Sequence, residues 1–263
     1  MRLKAAVNHL REWASPGPPW WEDLAREYGV SRQEALRLGT RAKGRRPWGK
    51  TLEEIWGETP RDSASTVARF YADAGPWFSF RQVVRHRFTC FGFIAKRLTP
   101  GARFLEFGAG VCPATWWLLH HGPALRATPA DVPSEHFRFG LNRLRRALPF
   151  RQWRMDLWPA WCHGGTLPRL PAGQFDGVAC LEVFEHLPDP AGTAGWLVDR
   201  LAAGGWFFEN FAGHPDASGP DLPAAQAARQ ATYDRIASAC ALVVGRPWSE
   251  LGGGGGTRTW RKC

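Results

Sequence analysis

One feature constrains the fold of this chain more than any other: from Ala102 to the C-terminus, short apolar runs alternate with helical ones. ARFLEF (102–107) reads as a strand and PATWWLLHHG (113–122) as the helix after it. ALRATPAD is the second strand, followed by the amphipathic helix SEHFRFGLNRLRRAL, and FRQWRMDL is the third strand. FDGVACLEV is a fourth, apolar enough to be covered on both faces. The helical run AGTAGWLVDRLA leads through Gly204-Gly205 into a fifth, WFFENF. A strand that restarts beside its predecessor in the same direction needs a crossover, and a helix supplies it. The expected architecture is therefore α/β, a largely parallel sheet with helices on both faces. The end differs: a helix through AAQAARQATYDRIASA, then ALVVGR, a glycine-rich turn at 252–256 and TRTWRK, read together as a hairpin with one antiparallel strand.

Ahead of this pattern the chain is helical and irregular. Residues 1–13 suit a short helix that the Pro-rich SPGPPW ends. WEDLAREYGVSRQEALRL reads as helix, turn, helix, broken at Gly29, with Ser31 as cap and Glu34 at the capping-box position. RAKGRRPWGK is a basic linker, and 63–98 is helical with a break at Gly75-Pro76. Two parts follow: a helical accessory or lid region over 1–80 and a ligand-binding domain over 81–263. Arg69, Tyr71, Trp77, Phe78 and Arg81 are the lid candidates, with aromatic packing on the sheet as the competing role.

The 263 residues are 44% hydrophobic and 22% charged, enough for a real core and too ordered in composition for a disordered chain. No uninterrupted apolar run is long enough to span a bilayer, and the N-terminus lacks the apolar stretch of a signal peptide. Cys90, Cys112, Cys162, Cys180, Cys240 and Cys263 lack the paired spacing of a zinc site, so a reduced, cytoplasmic protein is expected. The net charge of +10 is uneven: 18 basic against 10 acidic residues over 1–100, and 16 against 14 beyond. That basic front end suits RNA, DNA or an acidic small molecule, or is a solvated face. The Trp-rich stretches fit either a homodimer contact or an aromatic pocket.

The chemistry concentrates where strands end. Gly108 and Gly110 follow a strand and precede a helix, so the chain can turn sharply and let a ligand approach bare backbone. The third glycine of a dinucleotide fingerprint is replaced by Pro113, which favours a nucleoside without a diphosphate. Glu106 ends strand one, where an anion would suit a ligand ammonium. Asp131 ends strand two, where a carboxylate can accept both ribose hydroxyls. Asp156 is placed at the end of strand three, where it would receive an adenine amine.

On LEFGAG, ADV, RMDL, FDGVACLEVFEHLPDP and LAAGGWFFEN, residues 80–263 resemble the class I S-adenosylmethionine-dependent methyltransferases. The resemblance implies a Rossmann-like seven-stranded sheet, order 3-2-1-4-5-7-6 with strand seven antiparallel. It implies S-adenosyl-L-methionine as cofactor, touched by Glu106, Gly108, Ala109, Gly110, Asp131, Val132, Asp156, Leu157, Leu181 and Glu182. The long Trp-rich loop after strand three departs from the family pattern.

Glu182, Glu185 and His186 follow strand four, where the methyl acceptor must arrive, and are the catalytic candidates, with Glu209 and Asn210 nearby. His186 has a suitable pKa for taking an acceptor's proton. The E-x-x-E-H pattern also resembles ubiquinone-pathway O-methyltransferases and small-RNA 2′-O-methyltransferases, which implies a divalent metal such as Mg²⁺ on Glu182, Glu185, His186 and a later histidine, His214. A metal-free role for the same residues stands beside it. The expected activity is methyl transfer to a hydroxyl or amine of a small molecule in specialised or cofactor metabolism. RNA methylation, non-methyl chemistry on the same cofactor and a DNA-binding regulator with this fold are the alternatives.

Overall fold

A computed structural model describes residues 21–40, 54–55, 58–59, 63–87, 89–150, 155–162, 167–211, 221–247 and 256–263. The expected first helix, the basic linker, His214 and most of the glycine-rich turn lie outside these residues.

Four helices come first: α1 (Glu22–Tyr28), α2 (Arg32–Thr40), α3 (Ala64–Asp73) and α4 (Pro76–His86), followed by a short turn α5 (Gly92–Ala95). Their boundaries follow from local chemistry. Gly29 takes a left-handed φ of 66° and donates its N–H to the Ala25 carbonyl, closing α1. Ser31 accepts from the Glu34 N–H at the start of α2. Ser63 and Thr66 form a reciprocal capping box on α3. Gly75 and Pro76 separate α3 from α4, with the proline in the first turn where its missing N–H costs nothing.

The alternation then takes over: β1 (Ala102–Phe107), α6 (Pro113–His121), β2 (Leu125–Asp131), α7 (Glu135–Ala147), β3 (Met155–Leu157), β4 (Ala160–Trp161), β5 (Phe175–Cys180), α8 (Pro190–Asp199), β6 (Leu201–Glu209), α9 (Pro223–Ala227), α10 (Arg229–Ala237), β7 (Cys240–Val244) and β8 (Arg258–Lys262). The sheet runs β3-β2-β1-β5-β6-β8-β7, with β4 also paired to β2. Pairs among β1, β2, β3, β4, β5 and β6 are parallel, and β8 is antiparallel to both β6 and β7.

The sheet thus has eight strands, not seven. Trp158-Pro159 interrupts the third: proline cannot donate to the ladder, so β3 stops and the chain rejoins β2 two residues later as β4. Strand β6 also begins earlier than expected, at Leu201. Its pairing jumps from Phe175↔Leu201 to Gly177↔Trp206, a bulge that absorbs Gly204 and Gly205. The expected helix over 224–239 is split at Ala228.

Helices cover both faces. On one, α3, the start of α4, α8 and α10 pack on Leu105, Phe107, Val178, Phe207 and Trp260. On the other, α5, α6 and α7 pack on Phe104, Ala127, Ala179 and Phe208. Neighbouring residues of β1 thus serve opposite cores, as a strand buried on both sides requires. A third cluster joins the front of the chain to the rest: Leu24, Ala35 and Leu38 of α1 and α2 pack with Phe80 and Val83 of α4, Val111 and Phe139 of α7. Asp23 reinforces that joint, 3.3 Å from Arg143 and 3.2 Å from Arg146, while Arg146 lies 3.0 Å from Glu27. Arg143 also sits over the Trp116 ring, 4.0 Å from its centroid.

Candidate functional site

Parallel strands of an open α/β sheet present their C-terminal ends along one edge, where loops diverge and a ligand can enter. The turn after β1 is built for close approach. Gly108 has φ 68° and Gly110 φ 51°, and even Cys112 is left-handed at 54°. A Cβ on Gly108 would strike Val183, and one on Gly110 would strike the Gln82 carboxamide. The backbone amides of the turn divide into two kinds. Those of Gly108 and Ala109 both donate to the Ala130 carbonyl of β2 (2.8 and 3.1 Å). Those of Gly110 and Val111 donate to side chains instead, to Asp131 Oδ2 (2.5 Å) and Gln82 Oε1 (3.0 Å).

Asp131, at the tip of β2, also accepts from the Val132 N–H through Oδ1 (2.6 Å). Burial pushes its pKa up to about 6, against the pull of those two hydrogen bonds. A carboxylate offers about four lone-pair directions, so one on each oxygen stays available to a pair of hydroxyls. Asp131 fits a ribose in this respect, and the glycine turn beside it fits a ligand that needs bare backbone.

Glu106 has a different role from the one its position suggests. Its two oxygens accept from the Ala114 and Thr115 amides (2.9 Å each), capping the N-terminus of α6. It is buried, and burial raises its pKa to about 7. Its carboxylate is thus committed to the helix rather than facing a ligand ammonium.

Asp156 does not belong to the site. It pairs in register with Arg126, the second residue of β2, whereas Asp131 pairs with Trp161. Five residues of strand, about 16 Å, separate the two levels. Asp156 is exposed and 3.8 Å from Arg126, and Leu157 sits opposite Ala127, likewise remote from the strand tips. The residues level with Asp131 are Trp161, whose ring meets Phe137 edge-on at 4.8 Å, and Cys162, whose N–H donates to the Asp131 carbonyl (2.9 Å).

Beyond β5, Leu181 packs on the core and Glu182 turns the chain with φ 58°, a strained conformation for a residue with a side chain. Three bonds fix it there. Its N–H donates to Asn210 Oδ1 (2.5 Å), its Oε1 accepts from Asn210 Nδ2 (2.8 Å), and its Oε2 accepts from Arg85 of α4 (2.5 Å). Glu185 follows on a short 3-10 turn over Phe184–His186. It is 2% exposed, its Oε2 has no hydrogen-bond partner among the described residues, and burial raises its pKa to about 8. His186 Nδ1 lies 3.7 Å from Asp221. Tyr71 of α3 stands among these groups: burial first, then the fields of Asp131, Glu185 and Asp221, push its hydroxyl pKa up. Its ring contacts Phe78 and His136.

Glu182, Glu185 and His186 are therefore neighbours in sequence that face different partners. Among the described residues no group of three or more histidine, cysteine or acidic side chains could hold a metal, and His214 lies outside them. With both Glu182 oxygens engaged and His186 turned to Asp221, this set does not fit a divalent ion. Glu209, buried at the end of β6, is also structural: it binds Arg258 twice, the Trp260 indole (3.0 Å) and the Phe211 amide (2.9 Å), tying β6 to β8. Of the lid candidates, Tyr71 and Phe78 reach the strand-end groups. Arg69 is exposed on Asp73 (3.6 Å), and Arg81 lies over the buried Trp77 ring. Gln82 and Arg85, three residues apart on one face of α4, touch the two key loops and are not among the candidates that the sequence alone suggests.

Residues 81–250 match the family model described as "Methyltransferase domain". No curated protein sequence matches significantly. Solved structures that share the fold include an O-methyltransferase family 2 protein from Planctomyces limnophilus in complex with apigenin (TM-score 0.51, 18% identity, 75% of this chain and 65% of that one). The small RNA methyltransferase HEN1 aligns with a TM-score of 0.50 and 12% identity, over 65% of this chain and 24% of that one. A putative rRNA methylase from Clostridium thermocellum gives 0.48 and 10%, over 65% and 92%. No described helix is long and apolar enough to cross a membrane. A family match over most of the chain, laid on a glycine turn and a strand-tip carboxylate of this kind, places the protein in the methyltransferase-domain family, as an S-adenosylmethionine-dependent methyltransferase.

Proposed function

We propose that this enzyme methylates a hydroxyl or amine of a small molecule, bound over the tips of β5 and β6 under a wall made by α3 and α4. One observation carries the reading: Glu185 is almost wholly buried, with an oxygen that none of the described residues satisfies. A buried polar atom left alone is costly, so such an atom marks a place where a bound molecule or water completes the bonding. The aromatic rings of Tyr71, Phe78, Phe184 and Phe211 near it suit a compact organic acceptor better than a polymer backbone.

Bound S-adenosylmethionine supplies an activated methyl group for in-line displacement. The chain's part is alignment and proton management. Asp131 would hold the ribose, Trp161 and Cys162 would flank the adenine edge, and the glycine turn would carry the amino-acid end. Glu185 would take the proton that the acceptor must lose, with a pKa of about 8 that matches a base working close to neutrality. The Arg85–Glu182–Asn210 set would hold the β5 and β6 loops in register during the reaction.

The test is methyl-group labelling with a panel of small alcohols, phenols and amines, run beside total RNA. Labelling of a small acceptor is expected, and Glu185→Gln should cut kcat about 10²-fold or more while leaving S-adenosylhomocysteine affinity within about twofold. Labelling confined to RNA, or full turnover by Glu185→Gln, would overturn the assignment.

A further inference from the structure

Four successive amides line the glycine turn, and their partners set them apart. Gly108 and Ala109 donate to a main-chain carbonyl of the sheet, which cannot leave without unpicking β1 from β2. Gly110 donates to Asp131, the group assigned to the ribose. Only Val111 donates to a side chain that has no other role in the site, through Gln82 Oε1 at 3.0 Å. The Gln82 carboxamide also lies flat on Gly110, with its oxygen, carbon and nitrogen all close to where a Cβ would stand. The bare backbone of the turn is thus already covered, and the covering group is a planar, polar –C(=O)–NH₂ end. In shape and in its accepting oxygen, it imitates a carboxylate.

We propose that Gln82 is a resident latch on the amino-acid end of the cofactor site: its carbonyl holds the Val111 amide that a ligand carboxylate would take, and the cofactor's tail binds when Gln82 swings away. The inference rests on the strand-end reading of the cofactor site. Gln82 is able to do this because it is only partly buried and reaches in from α4, outside the sheet. The same helix face carries Arg85, which grips Glu182 on the neighbouring loop. One helix therefore covers the donor end with Gln82 and braces the acceptor end with Arg85.

Calorimetry on the full chain tests this with two probes, S-adenosylhomocysteine, which has the amino-acid tail, and adenosine, which lacks it. Gln82→Ala removes the latch, and should tighten S-adenosylhomocysteine about three- to tenfold, the worth of one hydrogen bond, with adenosine unchanged. Gln82→Glu puts a stronger, charged acceptor on the Val111 amide and repels the ligand carboxylate, so it should weaken S-adenosylhomocysteine and spare adenosine. Weaker binding by Gln82→Ala would make Gln82 a ligand contact and overturn the latch, as would two variants that bind like the wild type. If neither probe binds any of the three proteins, the strand-end cofactor site fails, and the latch with it.

Discussion

At the scale of single residues, several acidic side chains that sequence alone assigns to ligands hold the protein together instead. Glu106 shows the cost. Its folded pKa of about 7 stands above the ordinary value of 4.5, so the folded state holds its proton more tightly than the unfolded chain. The stabilisation this gives is complete below pH 4.5 and is lost as pH rises through about 7. Wild type should therefore lose ground to Glu106→Gln between pH 4.5 and about 7, by an amount on the order of 3 kcal/mol across the window. Thermal melts of both proteins across that range check it, and a difference in Tm independent of pH would contradict it. The candidate site is legible in sequence only where its parts are contiguous. Gly108, Gly110 and Asp131 each mark a strand tip by their own chemistry. Gln82 and Arg85 act across 29 and 97 residues of chain, a distance at which no local pattern indicates a partner.

At the scale of elements, the pattern is readable wherever a breaker and an apolar run agree. Ser134 caps α7 through the Phe137 amide, Pro113 and Pro190 open α6 and α8, and each marks its boundary in the sequence. The third strand escapes such a reading because Trp158-Pro159 looks like a terminator. An edge strand tolerates the missing proline N–H, so the ladder resumes at Ala160 and carries the strand tip to Trp161. The consequence is testable. Asp156→Ala should leave S-adenosylhomocysteine affinity within about twofold, whereas Trp161→Ala should weaken it about tenfold, as loss of an aromatic flank does. The reverse pattern in calorimetry would return the adenine edge to Asp156.

For the whole molecule, the front helices and the sheet share one core. Sequence suggests a boundary near residue 80, since composition and periodicity change there. The packing of Leu24, Leu38, Phe80 and Phe139 and the buried Asp23–Arg143 pair depend on contacts that periodicity cannot show. Arg143→Ala should cost about 3 kcal/mol, the low end for a broken buried pair because Arg146 still reaches Asp23. That corresponds to a Tm lower by roughly 6–12 °C in a single transition for a chain of this size. A separate early melt of the front region, with the main transition unmoved, would contradict a shared core.

Since the wall over the reaction site and the sheet beneath it are joined, function turns on what binds between them. Isothermal calorimetry of S-adenosylhomocysteine against wild type and Asp131→Ala is the direct measurement. Loss of two ribose hydrogen bonds should weaken binding by more than about tenfold, about 1.4 kcal/mol or more. Equal affinity in the two proteins would remove the nucleoside from the tip of β2.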